Sequence, residues 1–428
     1  MRILILGGTG FIGSAVMRRL AAEGHAVTGL ARSVTRARAR WPEVQWIAAD
    51  LADLQTAEAW RPHLDGFEIV VNCAGALQDG LTDDLSASQQ DAMFALYEAA
   101  TTSGIHRIVQ ISTRVDGSGA DLPFLATKRR ADTALAESGL PFVILRPALV
   151  VGRNAFGGTA LLRALAAFPF VQPLIHAESP VETVDVEDVA TAVALAIEGA
   201  IPAGSDIELA APGRLTLETT LALHRRWLGL APAPTVVVPA IVGRVVTALA
   251  DLAGRFGWQS PLRSTAMTVM EGGVTRRNDG EQPPFAMRAL SETLSVHPSG
   301  VQDLWFARLY LMKAPVIVTL SLFWLLSGLL PLADLERAAS HFLPLLPPPA
   351  ATAATLLSCL LDVTLGVCVL LRPLARRALL GMLAVTALYL AAASVVEPAL
   401  WLDPLGPLVK VLPSVLLTLT SLATLDHR

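Results

Sequence analysis

Charge is scarce in this chain. Of its 428 residues 16% are Asp, Glu, Lys or Arg, against 53% hydrophobic, and the mean hydropathy is +0.52. A formal net charge of −4 with no basic stripe leaves no electrostatic footprint for nucleic acid, so none is expected as a partner. The three cysteines, Cys73, Cys359 and Cys368, are too few for a disulfide framework and show no paired-metal spacing. The eight histidines are scattered, so no metal site is expected. Nothing resembles a nucleophile triad or a phosphoryl-transfer loop. Tyrosine is the rarest aromatic, with Tyr97, Tyr310 and Tyr389 only, and none of them lies four residues before a lysine.

Against these absences, the first residues are rich in information. Ile3 to Gly13 reads ILILGGTGFIG, an apolar strand running into Gly7, Gly10 and Gly13 and then a helical stretch from Ser14 to Glu23. A turn without side chains lets backbone amides approach a phosphate, and the following helix N-terminus adds partial positive charge. Gly7 permits the tight turn, Gly10 the approach of a pyrophosphate, and Gly13 the packing of helix on strand; Thr9, Phe11 and Ile12 complete the loop. The second strand, from Ala26 to Leu30, is followed by Ala31, Arg32 and Ser33, with no Asp or Glu between Glu23 and Glu43. An acid there would hold a ribose 2′-hydroxyl, whereas an arginine suits a 2′-phosphate, so NADP is expected over NAD, with Arg32 as its contact and Arg36 in reserve.

The G-x-x-G-x-x-G spacing resembles the extended and atypical branches of the short-chain dehydrogenase/reductase superfamily. Four further segments share that resemblance: IAADL (Ile47 to Leu51), VVNCAGA (Val70 to Ala76), IVQIST (Ile108 to Thr113) and FVILRPALVVG (Phe142 to Gly152). It implies a doubly wound parallel α/β sheet with a small substrate lobe. By the same resemblance, Asp50 and Leu51 lie near the adenine, Cys73, Ala74 and Gly75 beside the cofactor, and Pro147 past the nicotinamide. Ser112 and Thr113 stand where the family orients its substrate. Asp50 reads equally as a helix cap, as do Asp185 and Asp188 in VETVDVEDV. The His224-Arg225-Arg226 run reads as a polar helix face.

One departure bears on the chemistry. The family uses Tyr-x-x-x-Lys, in which helical spacing sets the lysine one turn from a proton-donating tyrosine. Here the pattern is Phe124-x-x-x-Lys128. Phe124 carries no transferable proton; Lys128 keeps the capacity to bond a nicotinamide ribose, and Thr127 is a weakly acidic neighbour.

After Met312 the composition changes. A bilayer core about 30 Å thick takes about 20 apolar residues per helix. Four spans are expected: Ala314 to Leu330, Ala350 to Leu371 with only Asp362 charged, Ala378 to Val396, and Leu405 to Leu425 with only Lys410. Arg308 and Lys313, then Arg372, Arg376 and Arg377, then His427 and Arg428 mark one side; Arg337 alone, among Asp334, Glu336, Glu397 and Asp403, falls on the other. Lysine and arginine excess marks the cytoplasm. The expectation is a multi-pass protein of the inner (cytoplasmic) membrane, its nucleotide domain on the cytoplasmic side, with no signal peptide before Met1 and no disulfides. The tail resembles the DoxX-like membrane family in helix number and arrangement.

The expected domains are 1–235, Rossmann domain and substrate lobe; 236–312, a lobe extension with an amphipathic helix from Val236 to Phe256 and a linker from Asn278 to Pro284; and 313–428, a four-helix membrane domain. The amphipathic helix has two placements, against the lobe or on the membrane surface. Asp362 is read as a functional carboxyl or as an acid bonded to a neighbouring helix. Two functions stay open: NADPH-dependent reduction of an apolar quinone- or lipid-like substrate, or a catalytically weak nucleotide-binding module, structural or redox-sensing, within a membrane complex. A sugar-nucleotide or steroid epimerase reading is weakened by Phe124.

Overall fold

The computed structural model describes residues 1–75, 84–114, 121–271, 273, 275, 282–404 and 406–425. Ala76, most of the 278–284 linker, Leu405, His427 and Arg428 lie outside the described residues. Two compact units form: Met1–Asp251 with Ser260–Ala307, and Leu252–Gln259 with Arg308–Arg428.

In the first unit, strands and helices alternate: β1 (Arg2–Leu6), α1 (Phe11–Ala22), β2 (Ala26–Ala31), α2 (Val34–Arg40), β3 (Gln45–Ala48), α3 (Ala57–Leu64), β4 (Ile69–Asn72), α4 (Ala92–Ala100), β5 (Arg107–Ile111), α5 (Pro123–Glu137), β6 (Phe142–Pro147), α6 (Val186–Glu198) and β7 (Ser205–Leu209). The strands form one sheet in the order β7-β6-β5-β4-β1-β2-β3, and every pairing is parallel. Successive strand side chains point to opposite faces, yet Ile3, Leu4, Ile5 and Leu6 are all fully buried, which requires helices on both sides. Ile3 and Ile5 pack with Val16 of α1 and Val189 and Val193 of α6, while Leu4 and Leu6 pack with Trp60 of α3 and Leu96 of α4. The strand order reverses between β1 and β4, and in such sheets ligands bind outside the C-terminal strand ends at the reversal.

Short strand pairs build a lobe beyond β6: Leu149–Val151 with Thr183–Asp185, Pro180–Val181 with Leu215–Thr216, and Gln172–Leu174 with Thr235–Val237. Its core holds Leu162, Leu174, Val181, Leu217 and Leu221. The expected polar face at His224 to Arg226 is corrected here, because only Arg226 is exposed and His224 and Arg225 are buried. Arg225 turns inward to donate to the backbone carbonyls of Ala166 (2.8 Å), Phe168 (2.9 Å) and Ala231 (2.5 Å).

The second unit is helical. Among the described residues, apolar helices long enough to span number three: Lys313–Ser340, Pro348–Cys368 and Arg372–Val396. The fourth expected span is the shorter apolar stretch Val409–Thr424, with its α-helical part at Leu412–Thr424. At 1.5 Å per residue its 16 residues cover about 24 Å, short of a bilayer core of about 30 Å. Pro404, Gly406 and Pro407 explain the late start, since proline lacks the amide a helix needs and Gly406 adopts a positive φ of 56°. We label the helices Lys313–Leu329, Pro348–Cys368, Arg372–Val396 and Leu412–Thr424 α7 to α10. Leu320, Trp324, Leu365, Leu379 and Met382 form their inner seam, while Leu360, Leu388 and Leu416 are each more than 60% exposed. Such outward leucines on α8, α9 and α10 suit lipid rather than water.

Gly328 of α7 and Gly366 of α8 let those two backbones approach: a Cβ on Gly328 would lie 2.6 Å from the Cys359 carbonyl oxygen, and one on Gly366 3.0 Å from the Leu325 nitrogen. Asp362, only 4% exposed, accepts hydrogen bonds from Ser327 Oγ (2.8 Å) and Tyr389 OH (3.1 Å), tying α7, α8 and α9 together. Of the two readings of this residue, the interhelical bond is the one the geometry displays.

Candidate functional site: the glycine turn and the strand ends around it

The turn after β1 is shaped by what its glycines avoid. Gly7 has φ +69°, and a Cβ on it would lie 2.7 Å from the Ala74 nitrogen, so the turn packs directly on the end of β4. A Cβ on Gly13 would strike the Gly7 carbonyl, whereas one on Gly10 would meet only that oxygen, at 3.1 Å. Gly10 is also the N-cap of α1 and has no side chain to cap it, so the amides of the first turn keep their partial positive charge for an anion. These features fit a dinucleotide pyrophosphate. Phe11 lies beneath Gly152, where a Cβ would stand 3.3 Å from its ring.

Arg32 and Ser33 are exposed at the C-terminal end of β2, with Arg36 exposed one turn into α2. That placement suits a 2′-phosphate. Asp50 acts as the cap foreseen as its alternative role, accepting from the Ala52 amide at 3.2 Å ahead of the 3-10 turn that begins at Leu51. Asp185 likewise caps α6 through the Glu187 amide (2.9 Å), and Arg288 bonds both Asp185 (3.0 Å) and, through its backbone amide, Asp188 (2.8 Å).

The floor of the site depends on a residue to which the sequence assigned no role. Asn72, buried at the end of β4, accepts from the Ala74 amide (2.9 Å) and donates to Gln110 Oε1 (2.9 Å) on β5. It thereby fixes Cys73, Ala74 and Gly75 against the glycine turn. Burial pushes the Cys73 thiol up to about 12, despite nearby Lys128, which keeps it protonated. Lys128 Nζ reaches the same edge. It donates to the Ile111 carbonyl (3.4 Å), and a Cβ on Gly75 would lie 3.2 Å from it.

Behind Lys128 stands a buried charge network. Asp132, one turn further along α5, accepts from Ser112 Oγ (2.6 Å) and Arg146 Nη1 (2.8 Å), and Arg146 also grips Asp206 of β7 through two bonds (2.7 and 2.9 Å). Arg146 Nη1 further donates to the Thr113 carbonyl at 2.7 Å. Burial lowers the Lys128 pKa; Asp132 and Cys73 oppose that effect and Arg146 adds to it. Burial also raises the Asp132 carboxyl, against the pull of Arg146, Ser112 and Lys128.

Ser112 is thus engaged by Asp132, while half-buried Thr113 stands beside it at the strand end; Pro147 closes β6. Thr127 donates back to the Phe124 carbonyl (3.1 Å) within the helix and is buried, so it points no hydroxyl at the edge. Phe124 itself packs with Leu85, Leu125 and Val269. Sequence reasoning missed Asn72, Gln110 and Asp132. A polar residue inside each apolar strand and an acid at Lys128 plus four were the available signals.

A family profile described as NAD(P)H-binding matches residues 7–198, and one described as the DoxX-like family matches residues 321–419. An uncharacterised protein of Mycobacterium tuberculosis is 29% identical over 253 residues, which is 59% of this chain and 26% of that protein. The chain therefore spans about a quarter of the length of that relative. A ceramide reductase of Caulobacter vibrioides is 26% identical over 188 residues, 44% of this chain and 58% of the relative. Among solved structures, a nucleoside-diphosphate-sugar epimerase from Staphylococcus aureus superposes with a TM-score of 0.52 at 17% identity, covering 69% of this chain and 99% of its own, a likeness of fold. The chain thus carries a region with a Rossmann-like fold that matches an NAD(P)H-binding profile, followed by a helical region that matches the DoxX-like family.

Proposed function

We propose that this protein is a membrane-anchored reductase that uses NADPH on an apolar substrate, a quinone or a lipid-like carbonyl compound. The observation that carries the reading is Lys128. Its ammonium lies at the cofactor edge between Gly75 and the Ile111 carbonyl, with a pKa lowered by burial, in a chain whose usual tyrosine is Phe124. Reduction of a carbonyl or quinone oxygen takes up a hydride and a proton. When bound, the nicotinamide supplies the hydride. Gly7, Thr9, Gly10, Phe11, Ile12 and Gly13 would hold the pyrophosphate, Arg32 and Ser33 the 2′-phosphate, Asp50 and Leu51 the adenine side, and Cys73 to Gly75 with Pro147 the nicotinamide side. Lys128 then takes two tasks, bonding the ribose and donating the proton that Phe124 lacks, and a lowered pKa makes it the better acid. Asp132 and Arg146 hold it in place, and Thr113 orients the substrate oxygen.

An apolar substrate is supported by the DoxX-like domain and by the name of the Caulobacter relative, a ceramide reductase. Loop charges support an inner-membrane location with the nucleotide domain facing the cytoplasm, where NADPH is available. The second reading, a nucleotide-binding module serving a membrane complex, draws on Phe124 alone, because a site selected for rapid turnover would keep the tyrosine.

The test is the pH profile of NADPH oxidation by wild type and by Lys128→Met, each paired with a cofactor Kd. The expected profile falls as pH rises through a value below that of an ordinary lysine, and Lys128→Met loses turnover by a larger factor than it loses affinity. A Lys128→Met protein with the wild-type rate and profile would overturn the assignment. Wild-type binding without oxidation would favour the module.

A further inference from the structure

An amphipathic helix normally turns its apolar face to the protein and its charges to water. The helix Ala240–Arg255 leaves its apolar face uncovered. Ile241, Val245, Leu249 and Leu252 form one stripe at spacings of four, four and three, and each is exposed, Leu249 by 61%. The one buried residue of the helix is Gly243, on the opposite side, where a Cβ would lie 2.7 Å from Ile175 Cδ1. Arg244 and Arg255 flank the apolar arc on the same edge, the position from which basic side chains reach phosphate headgroups.

The residues that follow the helix fix the depth at which it ends. The Phe256 carbonyl accepts from the amide of Arg372, the first residue of α9, at 3.0 Å. Trp258 Nε1 donates to the Leu370 carbonyl just beyond α8 (2.6 Å). The cations of Arg372 and Lys313, which open two of the apolar spans, lie 5.7 and 5.9 Å from the Trp258 ring centre. Tryptophan with lysine and arginine at helix ends marks the headgroup layer. A helix whose last turn is fastened at that layer, with an uncovered apolar stripe, has the geometry of a surface-lying membrane helix.

We propose that Ala240–Arg255 lies in the plane of the bilayer surface, its Ile241-Val245-Leu249-Leu252 face in the acyl-chain boundary. The occupant is a lipid bilayer, chosen over a second copy of the chain because the flanking arginines and the Trp258 anchor both belong to a headgroup environment. The proposal stands on the membrane helices and not on the redox chemistry.

The full-length protein, in nanodiscs containing a phospholipid with a photoreactive group in its acyl chain, tests this directly. After illumination and trypsin, lipid adducts are mapped on the peptide from Val245 to Arg255 and, as an internal control, on the α9 peptide from Ala378 to Lys410. Adducts on both are expected, with loss from the first alone in a Val245→Glu/Leu249→Glu double variant. Adducts confined to the α9 peptide would overturn the proposal, and so would ready Leu249→Cys disulfide formation between copies without lipid adducts, which would assign the face to a second chain.

Discussion

Replacing Asn72 with alanine should weaken cofactor binding without replacing any residue that would contact the cofactor. Asn72 holds two partners at once, the half-buried Ala74 amide at 2.9 Å and the buried Gln110 Oε1 at 2.9 Å. Truncation leaves both without this partner, at about 1–3 kcal/mol for each orphaned group. Stability should therefore fall by about 2–6 kcal/mol, by summing those two terms. Only the Ala74 part bears on the turn, because Gly7 packs on Ala74 with no room for a Cβ. Its cost of about 1–3 kcal/mol reappears when the cofactor reorders the loop, so Kd should rise about 5- to 150-fold. Gln110→Leu supplies the contrast, since it removes the other partner and leaves the Asn72–Ala74 bond in place; it should lower stability while Kd stays nearly constant. Thermal denaturation with and without NADPH, together with fluorescence titration of NADPH, reads both quantities. Equal effects of the two variants on Kd would refute the argument that Asn72 acts through Ala74.

Three further outcomes are expected. Arg32→Ala should weaken NADP binding by about 1–3 kcal/mol and leave NAD nearly unchanged, the range for losing a charge-assisted bond; equal losses by calorimetry would remove the 2′-phosphate assignment. Phe124→Tyr should raise NADPH oxidation with added carbonyl substrates by completing a Tyr-x-x-x-Lys pattern with a proton-donating hydroxyl, and an unchanged rate would leave the proton with Lys128. His224 is fully buried and burial pulls its pKa from 6.5 down to about 4, so the native state resists protonation that the unfolded chain accepts. Stability should be complete above about pH 6.5 and fall by about 3 kcal/mol as pH drops to about 4; a His224→Asn protein should lose most of that dependence, as melting temperatures at a series of pH values will show.

The fold was legible because its signals are local and repeated. A buried parallel strand needs apolar residues on both faces, and ILIL, VVN, IVQI and FVIL read so without ambiguity. The glycine turn was legible because few other residues tolerate its backbone. The last membrane helix was overdrawn because hydropathy counts apolar residues and ignores where a helix can start, and here two prolines and a glycine delay it to about Val409. The interior role of Arg225 and the support network of Asn72, Gln110, Asp132 and Arg146 were less visible. Their partners lie across the sheet or in another loop, from 2 to 60 residues away, and no periodicity along the chain reports such pairings. Asp362 stood out as a charge in an apolar run, but that Ser327 and Tyr389 meet it follows only from how three helices pack.

The central claim, that the NAD(P)-binding domain turns over its cofactor against an apolar acceptor, is tested most directly by stopped-flow absorbance of NADPH bound to the detergent-solubilised full-length protein, before and after addition of a short-chain quinone. The account predicts loss of the bound NADPH signal on mixing, at a rate that falls as pH rises and that Lys128→Met abolishes. Tight binding with no oxidation across several quinones and carbonyl compounds would contradict it.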